Sequence, residues 1–416
     1  MDAAGWSLKC ITSLAGTAAA TAPSASAATE KPVSSTPRRP ATPELEKYGD
    51  SRFHEMMGTQ TLEPAGSLPL SCGHHCRSSA HARIAGSTVL PRLCTACLSY
   101  VRSPRLSVSK MSMRVIASQL GSLQLLELDA SELTDGAVGL LAQPAVCLGL
   151  HTLQLYRCQQ LTDSALETLS LAAFAPLLKV LAFADCPNEL GPGLERLLRE
   201  TRGLGELCLR GTRAIRAEAL QTMNTVLGWN IRSISLSGCI FVTSELCKTL
   251  FRSAANRGSD WPAVVAESQG FPLLSALDLS YIGPAEAASI AEALASCHFS
   301  ASLTSLSLQG LAIDSTMLGA IVERCQMLTK LDVGFTGVCC QGLRVLLEHC
   351  CALRELSLDG CQLLDDLSLA VLSAHMQLPP HGALTIVSVL GCSGMTPRCL
   401  SEFAAAAQRE GILVVT

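Results

Sequence analysis

The chain has 416 residues, of which 48% are hydrophobic, 4% aromatic and 16% charged. Its formal charge of -4 gives no general attraction to nucleic acid or to an anionic membrane surface. No apolar run approaches the roughly 18 to 20 residues of a membrane helix. We therefore expect neither a nucleic-acid nor a membrane partner, and a fold built from many small aliphatic contacts.

The N-terminal segment, residues 1–65, is of low complexity and contains the run "TAAATAPSASAATEKPVSSTPRRP". Such a composition buries too little apolar surface to fold, so the segment is predicted to be disordered. It lacks the apolar core of a secretory signal, which favours a cytoplasmic or nuclear protein whose twenty cysteines are thiols or metal ligands. Its Ser- and Ala-rich start leaves a transit peptide as an alternative.

Residues 66–122 are predicted to form an N-terminal capping region with two cysteine pairs. The pairs are Cys72 with Cys76 and Cys94 with Cys97, and histidines lie between them. This is close to the spacing of a four-cysteine structural zinc site, the one cofactor that the sequence suggests. The run "LPRLCTACLSYV" is apolar at helical spacing, so packing of the second pair in a helix remains open, as does a reactive thiol pair.

From residue 123 to the end, the pattern L-x-x-L-x-L-x-x-(C/T) recurs ten times at near-constant spacing. It begins at Leu123, Leu150, Leu178, Leu204, Ile231, Leu274, Leu303, Leu328, Leu353 and Leu384. This recurrence is the strongest signal in the chain and predicts a leucine-rich repeat domain over 123–416.

Each repeat is predicted to contain a short strand followed by a helix. In one of them, Leu153 and Leu155 point inward with period two, and "LTDSALETL" follows with an apolar helical face that Thr162 or Asp163 can cap. One such unit cannot cover its own apolar edges. Neighbouring units must therefore stack into an α/β solenoid, a curved horseshoe with parallel strands on its concave face and helices on its convex face. The final "GILVVT" is predicted to be a last strand.

The repeats resemble the cysteine-containing leucine-rich repeat, C-x-x-L-x-x-L-x-L-x-x-C-x-x-L-T-D-x-(A/G)-L-x-x-L. Residues 147–169 follow this pattern, and 350–372 repeat it with Asp365 in the threonine position. Residues 274–325 lack the cysteine and resemble the ribonuclease-inhibitor type instead. The resemblance implies a protein that holds other proteins, as F-box substrate receptors of ubiquitin ligases, cell-cycle regulators, and some DNA-repair and axonemal proteins do.

The same resemblance assigns many cysteines to tight interior corners, where a small and soft side chain packs well. The position after the strand is taken by Cys158, Cys186, Cys239, Cys361 and Cys392, and the end of the helix by Cys147, Cys325 and Cys350. We expect these eight thiols to be buried and unreactive.

The strand residues that point away from the leucines are the natural contact surface of a solenoid. We predict that a protein partner contacts Tyr156, Arg157, Arg210, Asp278, Tyr281, Asp332, Phe335 and Asp359 on the concave face. Acidic residues outnumber basic ones there, which favours a partner with basic character, and exposed aromatic residues are typical anchors. A merely solvated sheet face remains the alternative.

Two further features stand outside the repeat pattern. The long step between Ile231 and Leu274 holds an insert with Trp261, predicted either to contact a partner or to fold back onto the scaffold. Leu90-Pro91 and Ser99-Tyr100-Val101 resemble the start of an F-box, although the segment before residue 123 is short for one. A ubiquitin-ligase adaptor is therefore a candidate second partner.

Catalytic motifs are missing: the sequence has no glycine-rich phosphate loop, no H-E-x-x-H and no G-x-S-x-G. We predict a non-catalytic protein-interaction scaffold, with a substrate-recognition subunit of an SCF-type ubiquitin ligase as its specific form. The alternatives are a structural subunit of a cytoskeletal or axonemal assembly, and a zinc-containing DNA-repair accessory factor.

Overall fold

The computed structural model describes residues 82–83, 100–107, 110–119, 122–144, 146–239, 271–282, 287–376 and 384–416. All of them belong to one unit of the chain, Pro69–Thr416. The predicted segment 1–65 lies outside these ranges, as does most of the predicted capping region 66–122.

Within these ranges, thirteen parallel strands form one continuous sheet. In spatial order they are β1 Ala82–Arg83, β2 Tyr100–Ser107, β3 Leu125–Asp129, β4 Thr152–Tyr156, β5 Val180–Phe183, β7 Glu206–Cys208, β9 Ser233–Ser235, β10 Ala276–Asp278, β11 Ser305–Ser307, β12 Lys330–Asp332, β13 Glu355–Ser357, β14 Ile386–Ser388 and β15 Leu413–Val415. Two short strands, β6 Glu189–Leu190 and β8 Ala214–Ile215, pair separately. Each predicted repeat start lies two residues before a strand of the large sheet, and the predicted final strand is β15.

Helices lie between the strands and form the other layer of the solenoid. The α-helices are α1 Lys110–Gln119, α2 Asp135–Val138, α3 Asp163–Ser170, α4 Pro192–Glu200, α5 Ala217–Thr222, α6 Ala287–Ser296, α7 Ser315–Val322, α8 Cys340–His349, α9 Asp366–Met376 and α10 Pro397–Arg409. Short 3-10 turns occur at Gly139–Ala142, Ala175–Leu177 and His298–Ser302, and a π-helical turn follows α5 at Met223–Leu227. The strands line the concave face and the helices the convex face, as predicted.

The core runs without interruption through the described repeats, because the leucines of neighbouring strands are in register. Leu126 lies opposite Leu153, which lies opposite Leu181, and all three are fully buried. Burying one such side chain contributes about 1.5 to 3 kcal/mol. The repeated leucines therefore stabilise the stack as a whole and not each repeat alone.

The turn after the strand has a left-handed residue in nine repeats. This position is occupied by Arg157, Asp185, Gly211, Gly238, Tyr281, Gly310, Phe335, Gly360 and Gly391. In this conformation the chain turns towards the helix, and the backbone N–H of several of these residues still donates to the next repeat. Tyr281 donates to the Gln309 carbonyl at 2.7 Å, and Phe335 donates to the Asp359 carbonyl at 2.6 Å. Glycine adopts positive φ without strain, whereas bulky side chains do so rarely.

The Thr-Asp pair at the start of α3 has two separate functions. The Thr162 hydroxyl caps its own helix by accepting the Ser164 N–H at 3.2 Å, as one of the two predicted caps. The Asp163 carboxylate instead reaches the next repeat and accepts N–H bonds from Gly193 at 2.6 Å and Leu194 at 3.0 Å. This aspartate therefore joins adjacent repeats at the start of α4.

Candidate functional site

Register places one concave-face residue from each strand in a continuous row. From β3 to β14 the row is Glu127, Gln154, Ala182, Cys208, Ser235, Asp278, Ser307, Asp332, Ser357 and Ser388. These side chains lie on the face opposite the leucines, since successive residues of a strand point to opposite sides. Small residues dominate the row, so its few large or charged members determine its chemistry.

Three of the concave-face residues that the sequence predicted as an exposed contact surface are instead buried. Their exposed fractions are 8% for Tyr156, 0% for Asp278 and 4% for Asp332, and Asp129 on the same face is buried as well, at 1%. The prediction of solvent exposure is wrong for Tyr156, Asp278 and Asp332. Alternation gave the correct face, but parallel strands stand only about 4.8 Å apart, so neighbours on both sides cover a side chain of this size.

The buried carboxylates of the C-terminal half are held by hydrogen bonds to the sheet itself. Asp278 accepts the Ser280 N–H at 3.0 Å and the Ser235 hydroxyl at 2.8 Å, and Asp332 accepts the Gly334 N–H at 2.9 Å. Burial raises the pKa of both, and that of Asp332 reaches about 6. At neutral pH the Asp332 side chain is therefore mainly an ionised carboxylate that is shielded from water.

Three basic side chains on the concave face are already paired within the molecule. Arg157 forms an ion pair with Asp129, and Arg210 lies 3.4 Å from Asp185. Lys330 lies 2.9 Å from Glu355. These contacts neutralise much of the face, and they use the two arginines that the sequence predicted as partner contacts.

Asp332 and Asp359 differ from the acids of these pairs. In the part of the chain that the structure describes, no lysine or arginine forms an ion pair with either carboxylate. Half-buried Asp359 accepts the Ser388 hydroxyl at 2.6 Å and the Leu390 N–H at 2.8 Å. These two acids therefore carry uncompensated negative charge on the concave face.

Two large aromatic side chains lie beside these acids and are exposed, as predicted: Tyr281 at 40% and Phe335 at 53%. Each ring covers the glycine of the following repeat. A Cβ built on Gly310 would lie 2.4 Å from Tyr281 Cδ1, and one built on Gly360 would lie 2.4 Å from Phe335 Cδ1. We call Tyr281, Asp332, Phe335 and Asp359 the acidic–aromatic patch.

The members of the acidic–aromatic patch influence one another electrostatically. Burial, followed by the charges of Asp332 and Asp359, raises the pKa of the Tyr281 phenol. Asp359 also contributes to the raised pKa of Asp332. The patch thus combines two aromatic faces, a protonated phenol and two carboxylates, which is a set suited to non-covalent binding.

Sequence reasoning missed the two glycines under these rings. Gly310 and Gly360 each come one repeat after an exposed aromatic residue and occupy the same left-handed position. When the repeats are aligned, this position reads Tyr281, Gly310, Phe335 and Gly360 in four successive repeats. The alternation of an aromatic residue and glycine is the sequence signal for these contacts.

All eight cysteines assigned to interior corners are buried. At four of the five post-strand corners the thiol donates to a carbonyl of the preceding repeat, as Cys239 does to Leu209 at 3.1 Å and Cys361 to Val333 at 3.1 Å. The Cys158 thiol instead donates to the Leu155 carbonyl of its own repeat at 3.3 Å. Burial raises the pKa of Cys239 to about 12, which disfavours the reactive thiolate. The prediction of buried thiols is confirmed.

Several predicted site residues lie outside the described residues: Trp261 and the zinc candidates Cys72, Cys76, Cys94 and Cys97. The zinc site therefore stays a prediction. Across the described ranges, no three side chains of the metal-binding types come together. None of the helices in those ranges has the length and apolarity needed to cross a bilayer.

No protein-family model matches the sequence, and no curated protein matches it. Among solved structures, the chain is similar to the yeast complex of Rad7 and Elc1, at 16% identity over 74% of this chain and 84% of that one, with a TM-score of 0.42. It is also similar to a leucine-rich repeat protein of Leptospira interrogans, at 14% identity over 76% and 82%, with a TM-score of 0.39. Neither likeness assigns a function to this chain.

Proposed function

We propose that this solenoid is a non-catalytic protein-interaction scaffold whose partner contacts the concave face at the acidic–aromatic patch. The observation that carries the proposal is the exposure of Tyr281 and Phe335 in left-handed backbone conformation. Holding a bulky residue there costs about 1 to 3 kcal/mol. Five other repeats have glycine at this position, so folding does not require a ring there.

The rings also have the character of binding anchors. Each ring is partly exposed and packs on a glycine, and large aromatic residues dominate the energetics of many interfaces. A solenoid presents such residues on a stiff curved surface, which reduces the entropy that binding must overcome.

Affinity capture with the double variant Tyr281→Gly/Phe335→Gly tests the proposal. Glycine removes both rings and suits the left-handed backbone, so the variant should fold. The matched control is Met327→Ala/Leu367→Ala, which removes two exposed apolar side chains outside the strands. We expect partners recovered with the wild type to be lost with the glycine variant and kept with the control.

The opposite result has a defined meaning. Stable co-purification that is insensitive to the glycine variant would reject the concave face and favour a structural subunit held through other surfaces. Loss of partners in the control alone would point to the helical side of the solenoid.

A narrower form of the proposal is that the scaffold selects substrates for an SCF-type ubiquitin ligase. It rests on the resemblance of residues 147–169 and 350–372 to the cysteine-containing repeats of substrate receptors. Such a role needs an adaptor contact, which we assign to residues 66–110. Mixing the full chain with a Skp-type adaptor and measuring complex formation by size-exclusion chromatography tests it, and absence of a complex rejects this narrower form alone.

A further inference from the structure

The distribution of charge along the concave face is uneven. In the N-terminal half, Arg157 and Arg210 sit beside Asp129 and Asp185. In the C-terminal half, Lys330 is paired with Glu355, whereas Asp332 and Asp359 accept hydrogen bonds but form no ion pair with a lysine or arginine among the described residues. The uncompensated charge is therefore concentrated where the exposed rings lie.

The rings and the carboxylates are close to one another. Tyr281 and Phe335 occupy the same position in repeats that are two strands apart, so their backbones are separated by about 10 Å. Each ring leans over the glycine of the next repeat. Asp332 lies at the end of β12, in the same repeat as Phe335, and Asp359 lies one repeat further on.

We propose that the acidic–aromatic patch binds a basic segment of the partner protein, with an arginine or lysine side chain stacked on the rings of Tyr281 and Phe335 and paired with Asp332 and Asp359. This inference rests on the proposed function and specifies the chemistry of its partner. The planar guanidinium of arginine stacks on aromatic faces and pairs with carboxylates, and it fits the patch better than the compact ammonium of lysine.

Other occupants fit the patch less well. An acidic segment would meet like charge at both carboxylates. A purely apolar helix would cover the rings, but it would also desolvate half-buried Asp359 and supply no positive charge to either carboxylate, which opposes binding. Charge complementarity therefore selects a basic segment over both.

Fluorescence anisotropy with labelled synthetic peptides tests the inference on the full chain. One probe alternates arginine and serine over about ten residues, and the other alternates glutamate and serine. The variants are Asp332→Asn/Asp359→Asn and Tyr281→Gly/Phe335→Gly. The matched control, Glu323→Gln/Glu348→Gln, removes the same amount of negative charge from exposed positions outside the strands.

We expect the arginine peptide to bind more tightly than the glutamate peptide. Each patch variant should bind the arginine peptide about tenfold more weakly than the wild type does. The control should change its affinity less than about twofold. Raising the salt from about 0.1 M to about 0.5 M should weaken binding, because part of the interaction is a partly exposed ion pair.

Two results would overturn the inference. One is equal affinity of the wild type for the two peptides, and the other is an equal loss of affinity for the arginine peptide in the control and in the patch variants. If that happens while the glycine variant still loses its partners in affinity capture, the scaffold function stands and the patch recognises a different chemistry. If affinity capture is also unchanged, the proposed function fails together with the inference.

Discussion

The substitution Asp332→Asn should stabilise the protein at neutral pH. The Asp332 carboxylate is almost fully buried, accepts the Gly334 N–H at 2.9 Å and has Asp359 and Asp278 as acidic neighbours. Asparagine keeps the acceptor oxygen and removes the charge. The cost of holding a desolvated carboxylate in the folded state should therefore disappear.

The magnitude follows from the pKa of Asp332, which burial raises from the usual 3.8 to about 6. Because the folded state holds this proton more tightly than the unfolded state, the free energy of unfolding falls as the pH rises between these two values. One pKa unit corresponds to about 1.36 kcal/mol. The stabilisation by asparagine should accordingly be about 1 kcal/mol near pH 4.5 and about 3 kcal/mol near pH 7.5.

Urea unfolding followed by circular dichroism at both pH values measures this difference. Subtracting the free energy of unfolding of the wild type from that of the variant at each pH removes the contribution of groups that titrate in both proteins. Glu323→Gln serves as the exposed control, and it should change the free energy of unfolding by less than about 0.5 kcal/mol. A variant that is destabilised near pH 7.5, or whose effect is the same at both pH values, would refute the assignment of a buried charge to Asp332.

Three further substitutions or measurements test the packing. Gly360→Ala should destabilise the protein by more than about 1 kcal/mol in urea unfolding, because the φ of Gly360 is +66° and an added Cβ would lie 2.4 Å from the Phe335 ring. The control Gly136→Ala should not destabilise the protein, because no atom lies within 4 Å of its added Cβ. Leu356→Ala should cost about 2 to 5 kcal/mol by the same assay, since this side chain is fully buried. Iodoacetamide under native conditions should label exposed Cys351 much faster than buried Cys158, and comparable rates found by mass spectrometry would contradict the packing of the corner thiols.

The sequence was sufficient to predict the fold because the information is local and repeated. Leu153 and Leu155 alternate with polar residues inside a single strand, and the same pattern returns in each repeat. A unit that cannot cover its own leucines must stack, so the parallel sheet follows from the pattern itself. The interior position of Cys239 and Cys361 follows in the same way.

The candidate site was only partly predictable because it depends on distances between repeats. Alternation placed Asp278 and Asp332 on the correct face but could not show that neighbouring strands cover them. The pairing of Arg157 with Asp129 joins residues far apart in sequence, and the position of the Phe335 ring depends on a glycine one repeat away. Such contacts appear only when the repeats are stacked.

Photo-crosslinking from the acidic–aromatic patch tests the central claim most directly. Phe335 is replaced by p-benzoylphenylalanine in the full chain, and Leu367, an exposed residue of α9, carries the same group in the control. We predict a crosslinked partner protein at position 335 that is absent at position 367 and is reduced when Asp332→Asn/Asp359→Asn is combined with the probe. No crosslink at 335, or equal crosslinking at both positions, would contradict the account.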